Sequence, residues 1–192
     1  MFTGIITHTG KILTKSETKL AVESTKDFIS MLNKGLSVAI NGICLTIASF
    51  NKKSFQVDFM PETKARTNIG HLKSGDLVNL ELPVTIETLF AGHIVQGHID
   101  GVAKLEGVTK KGNSRILKLS IPNTLSRYIA SKGSIAVSGI SLTVIEAKKD
   151  YFTVGIVPYT WEHTALHTIK IGDFVNIEVD ILAKYLESLL KK

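Results

Sequence analysis

Cys44 and Thr46 stand two residues apart in NGICLT, and 97 residues further on Ser141 and Thr143 stand in the same relation in SGISLT. Side chains at i and i+2 of a strand share a face, so each stretch, read as a strand, presents a thiol or hydroxyl beside a second hydroxyl. Such a face offers a nucleophile, and it suits a polar ligand with a ring and several oxygens. A lone cysteine in an apolar run is ordinarily a small core residue. Serine at the matching place argues against that, because a hydroxyl is poor core material unless it is bonded. A hydrogen-bonded barrel interior is the competing reading. His93 and His98 flank Gly97 in AGHIVQGHID, where an imidazole could shuttle protons near neutral pH; a turn histidine is otherwise only a hydrogen-bonded surface residue. His163 and His167 are four apart, but no carboxylate or thiol is visibly placed to complete a metal site. Signatures of phosphate-binding loops, dinucleotide folds, zinc proteases and serine hydrolases are absent.

The elements that must carry these residues come in two copies. Residues 41–82 recur without a gap at 138–179, with 16 of 42 positions identical, where composition alone gives about two or three. An earlier anchor matches Gly4 and Lys11-Ile12 with Gly97 and Lys104-Leu105 at an offset of 93, so a few residues were gained or lost between the anchors. The period exceeds the roughly 20–50 residues of solenoid repeats, and each copy is expected to be a domain with its own core. Two similar pockets, one with Cys44 and one with Ser141, would bind the same small molecule twice and treat each copy differently.

Apolar and polar residues alternate in 78–82, 175–179 and 117–121, and β-branched residues crowd 38–47 and 135–144, as in strands with one face inward. Turn signals such as Asn41-Gly42, Ser74-Gly75-Asp76 and Ser138-Gly139 recur at intervals suited to short antiparallel strands. Each copy reads as a small closed barrel, since an open sheet of this size would leave edges exposed. Short helices are expected at Thr25 to Leu32, Pro122 to Ala130, Thr63 to Ile69 and Thr160 to Leu166. Residues 83–91 should connect the domains. Ile181, Leu182, Tyr185, Leu186, Leu189 and Leu190 recur at helical spacing, giving a terminal helix whose apolar stripe docks on its own chain or on copies of itself.

Composition narrows the class. Apolar content of 44% and charged content of 21% describe an ordinary globular chain with no stretch long and apolar enough for a bilayer, and MFTGIITHTGK lacks a secretory pattern. A cytoplasmic location is expected. The single cysteine forbids an internal disulfide and a multi-thiolate zinc site. The formal charge of +6 raises the question of nucleic acid, but the basic residues are scattered, with adjacent pairs only at 52–53, 110–111, 148–149 and 191–192. Solvated surface is the preferred reading over attraction of anionic ligands. With aromatics at 7% and unclustered, the stacking platforms of a single-strand binder are missing.

MFTGI at the start, NGICLT, GHIVQGHI at the junction, GISLTV and the two Pro-x-Thr segments, in this order and within this duplication, resemble the riboflavin synthase family of the α-chain type over residues 1–185. The resemblance implies an all-β chain: two tandem six-stranded Greek-key β-barrels and a C-terminal helix through which three chains associate as a homotrimer. The implied boundaries are 1–88, 89–180 and 181–192. It also implies a dismutation in which two molecules of 6,7-dimethyl-8-ribityllumazine exchange a four-carbon unit, giving riboflavin and 5-amino-6-ribitylamino-2,4-pyrimidinedione, without cofactor or metal. In the family the facing pockets belong to neighbouring subunits, and proximity supplies much of what the bimolecular barrier requires.

By matching motifs, the resemblance implies a first pocket of Gly4, Ile5, Ile6, Cys44, Leu45, Thr46, Asp58, Phe59, Met60, Pro61, Glu62 and Thr63. The second would use Gly97, His98, Ile99, Lys132, Ser141, Leu142, Thr143, Gly155, Ile156, Val157, Pro158, Tyr159 and Thr160. Phe2 matches a position tied to activity. His98 with Thr143 would help remove a proton from the 7-methyl group of one lumazine while Cys44, Ser141 or a water adds to the other, and Asp180 would complete the polar set. Ser138, Ala91 and Lys64 depart from the family pattern at aspartate, glycine and leucine positions. Non-catalytic lumazine- or flavin-binding relatives commonly lose the cysteine or the junction histidines; Cys44, His93 and His98 are all present.

Overall fold

A computed structural model describes residues 1–190. The first repeat runs β1 (His8–Lys15), β2 (Lys19–Ser24), α1 (Lys26–Ser30), β3 (Ser37–Ile40), β4 (Ile43–Phe50), β5 (Ser54–Asp58), α2 (Pro61–Arg66) and β6 (Leu77–Glu81). The second runs β7 (Gly101–Lys111), β8 (Ser114–Ser120), β9 (Ser134–Val137), β10 (Ile140–Ala147), β11 (Tyr151–Ile156), α3 (Pro158–His163) and β12 (Phe174–Val179), and α4 (Ile181–Leu190) follows. Each set of six antiparallel strands closes into a barrel, in the circular orders β1-β2-β5-β4-β3-β6 and β7-β8-β11-β10-β9-β12. Closure leaves no open edge. Irregularities in pairing are duplicated too, between Ile47 and Ser49 in β4 and between Val144 and Glu146 in β10.

Alternation decides what each strand buries. Ile43, Leu45 and Ile47 of β4 point into one barrel core, and Ile140, Leu142 and Val144 of β10 into the other. Cys44, Thr46, Ser141 and Thr143 therefore lie on outer faces, which overturns the barrel-interior reading. Phe28 and Ile29 of α1 pack into the first core.

The expected helices shift. Those after Pro-x-Thr begin at Pro61 and Pro158 rather than at the threonines, because proline has no N–H to lose at the first helical position. They end early, since Thr67 and Thr164 are extended and begin separate 3₁₀ turns, Asn68–His71 and Ala165–Thr168. Thr67 Oγ1 donates to the Thr63 carbonyl at 2.6 Å and accepts from Ile69 N at 3.3 Å, closing one helix while capping the next turn. The helix expected over Thr25 to Leu32 is the shorter α1, and that expected over Pro122 to Ala130 is a single 3₁₀ turn, Ser126–Tyr128. The last two residues expected in the terminal helix, 191 and 192, lie outside the described residues, as does the basic pair they form.

The barrels meet around an approximate twofold axis. Gly42 and Gly139, in the β3–β4 and β9–β10 turns, approach so closely that a Cβ on Gly42 would lie 2.7 Å from Gly139 N. Buried asparagines sew the seam: Asn79 reaches the Ser138 carbonyl and Ala165 N, and Asn176 reaches the Asn41 carbonyl and Asn68 N. Segment 83–91 links the barrels and leaves Ile86, Leu89 and Phe90 exposed. No helix among the described residues is long and apolar enough to cross a membrane.

Candidate active site

Two segments leave their own repeat and cross to the other barrel. Gly4 lies against β10, where its carbonyl accepts from Ser141 N at 2.8 Å, and Gly97 lies against β4, where its carbonyl accepts from Cys44 N at 2.9 Å. Both are in the left-handed region (φ 77° and 81°), which a side chain resists. A Cβ on either would also strike the strand, 2.7 Å from Ser141 Cβ and 2.5 Å from Cys44 Cβ respectively. Beyond the crossings, Ile6 packs on the second core and Ile99 on the first.

This arrangement corrects the expected grouping. Gly4, Ile5 and Ile6 join Ser141 and Thr143, while Gly97, His98 and Ile99 join Cys44 and Thr46. The repeats exchange their leading segments, which alignment of one copy on the other does not show. His98 follows Gly97 and is exposed, so within one chain it belongs on the Cys44 side and not beside Thr143.

His93, to which the resemblance gave no role, is the histidine that meets a candidate nucleophile. Its Nδ1 lies 2.8 Å from Ser141 Oγ, and its backbone N–H donates to the Thr3 carbonyl at 3.1 Å. The ring is buried, and its Nε2 has no hydrogen-bond partner among the described residues. Burial pushes the imidazole below its ordinary value while Asp180 pulls the other way, so the neutral ring is favoured. A neutral imidazole with Nδ1 turned to a hydroxyl can take its proton. Gly92 permits the approach, since a Cβ there would lie 1.9 Å from the Thr3 carbonyl oxygen. The sequence signal was present in AGHIVQGHID, but choosing between two histidines required the crossing.

The remaining expected residues divide by orientation. Leu45, Phe59, Leu142 and Ile156 point into the barrel cores, and alternation along β4 and β10 places Leu45 and Leu142 opposite Cys44, Thr46, Ser141 and Thr143. Phe2 is fully buried with Ala39, Val95 and Ala136, and Cys44 packs on this cluster. Phe2 is thus a wedge between barrels, placed behind the thiol. Thr46 pairs in register with Asp58 at the end of β5, and Met60, Pro61, Glu62 and Thr63 follow into α2. In the second barrel Gly155 lies on β11, and Val157, Pro158, Tyr159 and Thr160 lead into α3. Lys132 is exposed at a positive φ of 69° in the turn before β9. Asp180 caps α4 by accepting from Leu182 N at 3.0 Å. His163 closes α3 while His167 sits in the next turn, each with Nδ1 against a backbone carbonyl, so they do not share a helix face.

The whole forms two equivalent outer faces. Each has a pair of small polar side chains on a strand, a crossing glycine from the other repeat and a Pro-led helix beside it. They differ in that Ser141 has His93 behind it, whereas Cys44 has the apolar Phe2 cluster.

Comparison with known proteins agrees with this duplication. A family model described as the lumazine binding domain matches residues 3–83 and again 96–180. The riboflavin synthase of Actinobacillus pleuropneumoniae is 42% identical over 195 residues, covering 100% of this chain and 91% of its own. That of Bacillus subtilis (strain 168) is 38% identical with the same coverage. Among solved structures, LumP complexed with riboflavin superposes with a TM-score of 0.85 at 26% identity, over 93% of this chain and 99% of that one. LumP complexed with 6,7-dimethyl-8-(1'-D-ribityl) lumazine, at 24% identity and a TM-score of 0.82 over the same shares, matches in fold. Taken with the paired outer faces, these similarities show that the chain belongs to the riboflavin synthase family and carries one lumazine-binding domain in each half.

Proposed function

We propose that the two outer faces each bind one 6,7-dimethyl-8-ribityllumazine and that the chain dismutates them to riboflavin and 5-amino-6-ribitylamino-2,4-pyrimidinedione. The four carbons lost by one molecule complete the new ring of the other, so the exchange balances without oxidant, reductant or cofactor. The observation that carries this reading is the pairing of like faces with unlike reactive groups, Cys44 on one and the Ser141–His93 pair on the other. Donor and acceptor begin as the same compound, and such a difference would assign each its role.

Ser141, its hydroxyl 2.8 Å from a neutral imidazole, is the better-placed nucleophile to add to one lumazine. Cys44 and Thr46, with His98 on the crossing segment, would hold the other and assist loss of its methyl proton. Thr143 and Lys132 bind on the Ser141 side. The binding stretches are Asp58 to Thr63 and Gly155 to Thr160, with Gly4 to Ile6 and Gly97 to Ile99 exchanged as described. Productive facing of one chain's first pocket with a neighbour's second pocket would come from a homotrimer joined through α4. The functional division is 1–88, 89–180 and 181–192, and the free Cys44 thiol suits the cytoplasm.

Incubation of the pure protein with 6,7-dimethyl-8-ribityllumazine, with no cofactor added, tests this. One riboflavin per two lumazines consumed, by absorbance and chromatography, is the expected result. Tight binding without product would assign the chain to ligand binding instead.

A further inference from the structure

Glu81 and Glu178 are equivalent residues near the ends of β6 and β12, and both are buried. Their main use is to bind backbone. Glu81 accepts from Thr3 N at 2.7 Å and Thr3 Oγ1 at 2.8 Å on one oxygen, and from Gly4 N at 3.1 Å on the other. Glu178 accepts from Gln96 N at 2.7 Å and Gly97 N at 2.9 Å, one on each oxygen. The two glycines so held by their N–H groups, Gly4 and Gly97, are those whose carbonyls receive Ser141 N and Cys44 N. Each relay runs from one barrel through a crossing segment to the other barrel.

We infer that Glu81 and Glu178 are positioning residues wired crosswise: Glu81 of the first barrel sets the segment over the Ser141 face of the second, and Glu178 of the second sets the segment over the Cys44 face of the first. This rests on the ligand faces proposed above. Burying a carboxylate is costly, and burial pushes both groups upward, Glu178 to about 7 against its two N–H donors and Lys184. A glutamine would avoid that cost, but it has only one accepting oxygen. Two N–H groups converging on two oxygens require a carboxylate, and an amide turns its own NH₂ toward one of them. The seat of an acidic residue here is explained by geometry that only the carboxylate satisfies.

The cross-wiring is directional, which makes it testable with the sole cysteine of the chain. In the full-length protein, Glu178→Gln should raise the rate at which Cys44 reacts with an aromatic disulfide reagent by about tenfold, the equivalent of one lost bond to a charged acceptor. Glu81→Gln should leave that rate within about twofold while lowering turnover. Addition of 6,7-dimethyl-8-ribityllumazine should protect Cys44 less in Glu178→Gln than in Glu81→Gln. Glu178→Asp, which keeps both oxygens on a shorter arm, should fall between the parent and Glu178→Gln. Equal acceleration in both glutamine variants, which general loosening would produce, overturns the inference, as does no acceleration in Glu178→Gln. The thiol rate without ligand needs no turnover, so an inactive parent protein would refute the proposed reaction and leave this test standing.

Discussion

His93 is buried, so folding favours its neutral form, and that preference sets a pH dependence. A histidine whose native pKa lies below the unfolded value near 6.5 contributes stability that is full above about 6.5 and is lost as pH falls through the lower native value. If the same neutral ring takes the Ser141 proton, turnover should fall along an acid limb below pH 6.5. His93→Gln should remove that limb and lower kcat by about a hundredfold or more; a pH–rate profile with the limb intact would exclude His93 as the base. Ser141→Ala should cost kcat more than Cys44→Ser, since the thiol packs on an apolar cluster while Ser141 Oγ lies 2.8 Å from an imidazole. At this scale the sequence was informative where period-two alternation governs, as for Cys44 with Thr46 and Ser141 with Thr143. It was silent on His93 over His98, because a contact between residues 48 apart depends on where a crossing segment lands.

The turns at the barrel seam follow from local chemistry. Asn41-Gly42 and Ser138-Gly139 join their strands through two residues, all at positive φ (47° and 79°, 44° and 82°), the backbone of the type I′ hairpin that favours Asn-Gly. Asn41 meets the demand twice, since it tolerates the conformation and its Oδ1 accepts from Asn79 N at 2.8 Å. Ser138 does so less well, with its Oγ 3.3 Å from Asn176 N. Ser138→Asn should therefore stabilise the protein by about 0.5–1 kcal/mol, read as a higher urea midpoint at unchanged slope; a lower midpoint would show that the shorter side chain is required at the seam. Strands and turns of this kind were legible because their signals are local. Helix limits were less so: Thr67 and Thr164 break the helices by bonding backwards to Thr63 and Thr160 carbonyls, which a helical residue pattern conceals. The exchange of Gly4 and Gly97 between barrels was hidden for the opposite reason, since a duplicated sequence aligns equally well with exchanged or unexchanged segments.

For the molecule as a whole, α4 separates two kinds of contact. One side holds it to its own chain, where Lys184 pairs with Asp100 at 2.6 Å, Arg127 with Glu187 at 2.7 Å, and Tyr128 bonds the same Glu187. The other side turns Leu182, Tyr185, Leu186 and Leu189 outward, all more than half exposed, at the spacing of an apolar helix face. Of the two docking modes that the sequence left open, polar contacts dock one face of the helix at home, and the exposed apolar stripe is the face that the proposed trimer would use. Burying one leucine is worth about 1.5–3 kcal/mol, repeated in each chain of the proposed trimer, so Leu182→Asp with Leu189→Asp should dissociate it without touching the salt bridges. Sedimentation should then give the 20.9 kDa of a single chain, with unchanged far-ultraviolet dichroism. Ligand binding should survive and riboflavin formation should fall to background, because each chain would keep both pockets but lose the neighbour that faces them. A dissociated protein with undiminished turnover would place both reacting molecules within one chain, and an intact trimer would move the interface away from α4.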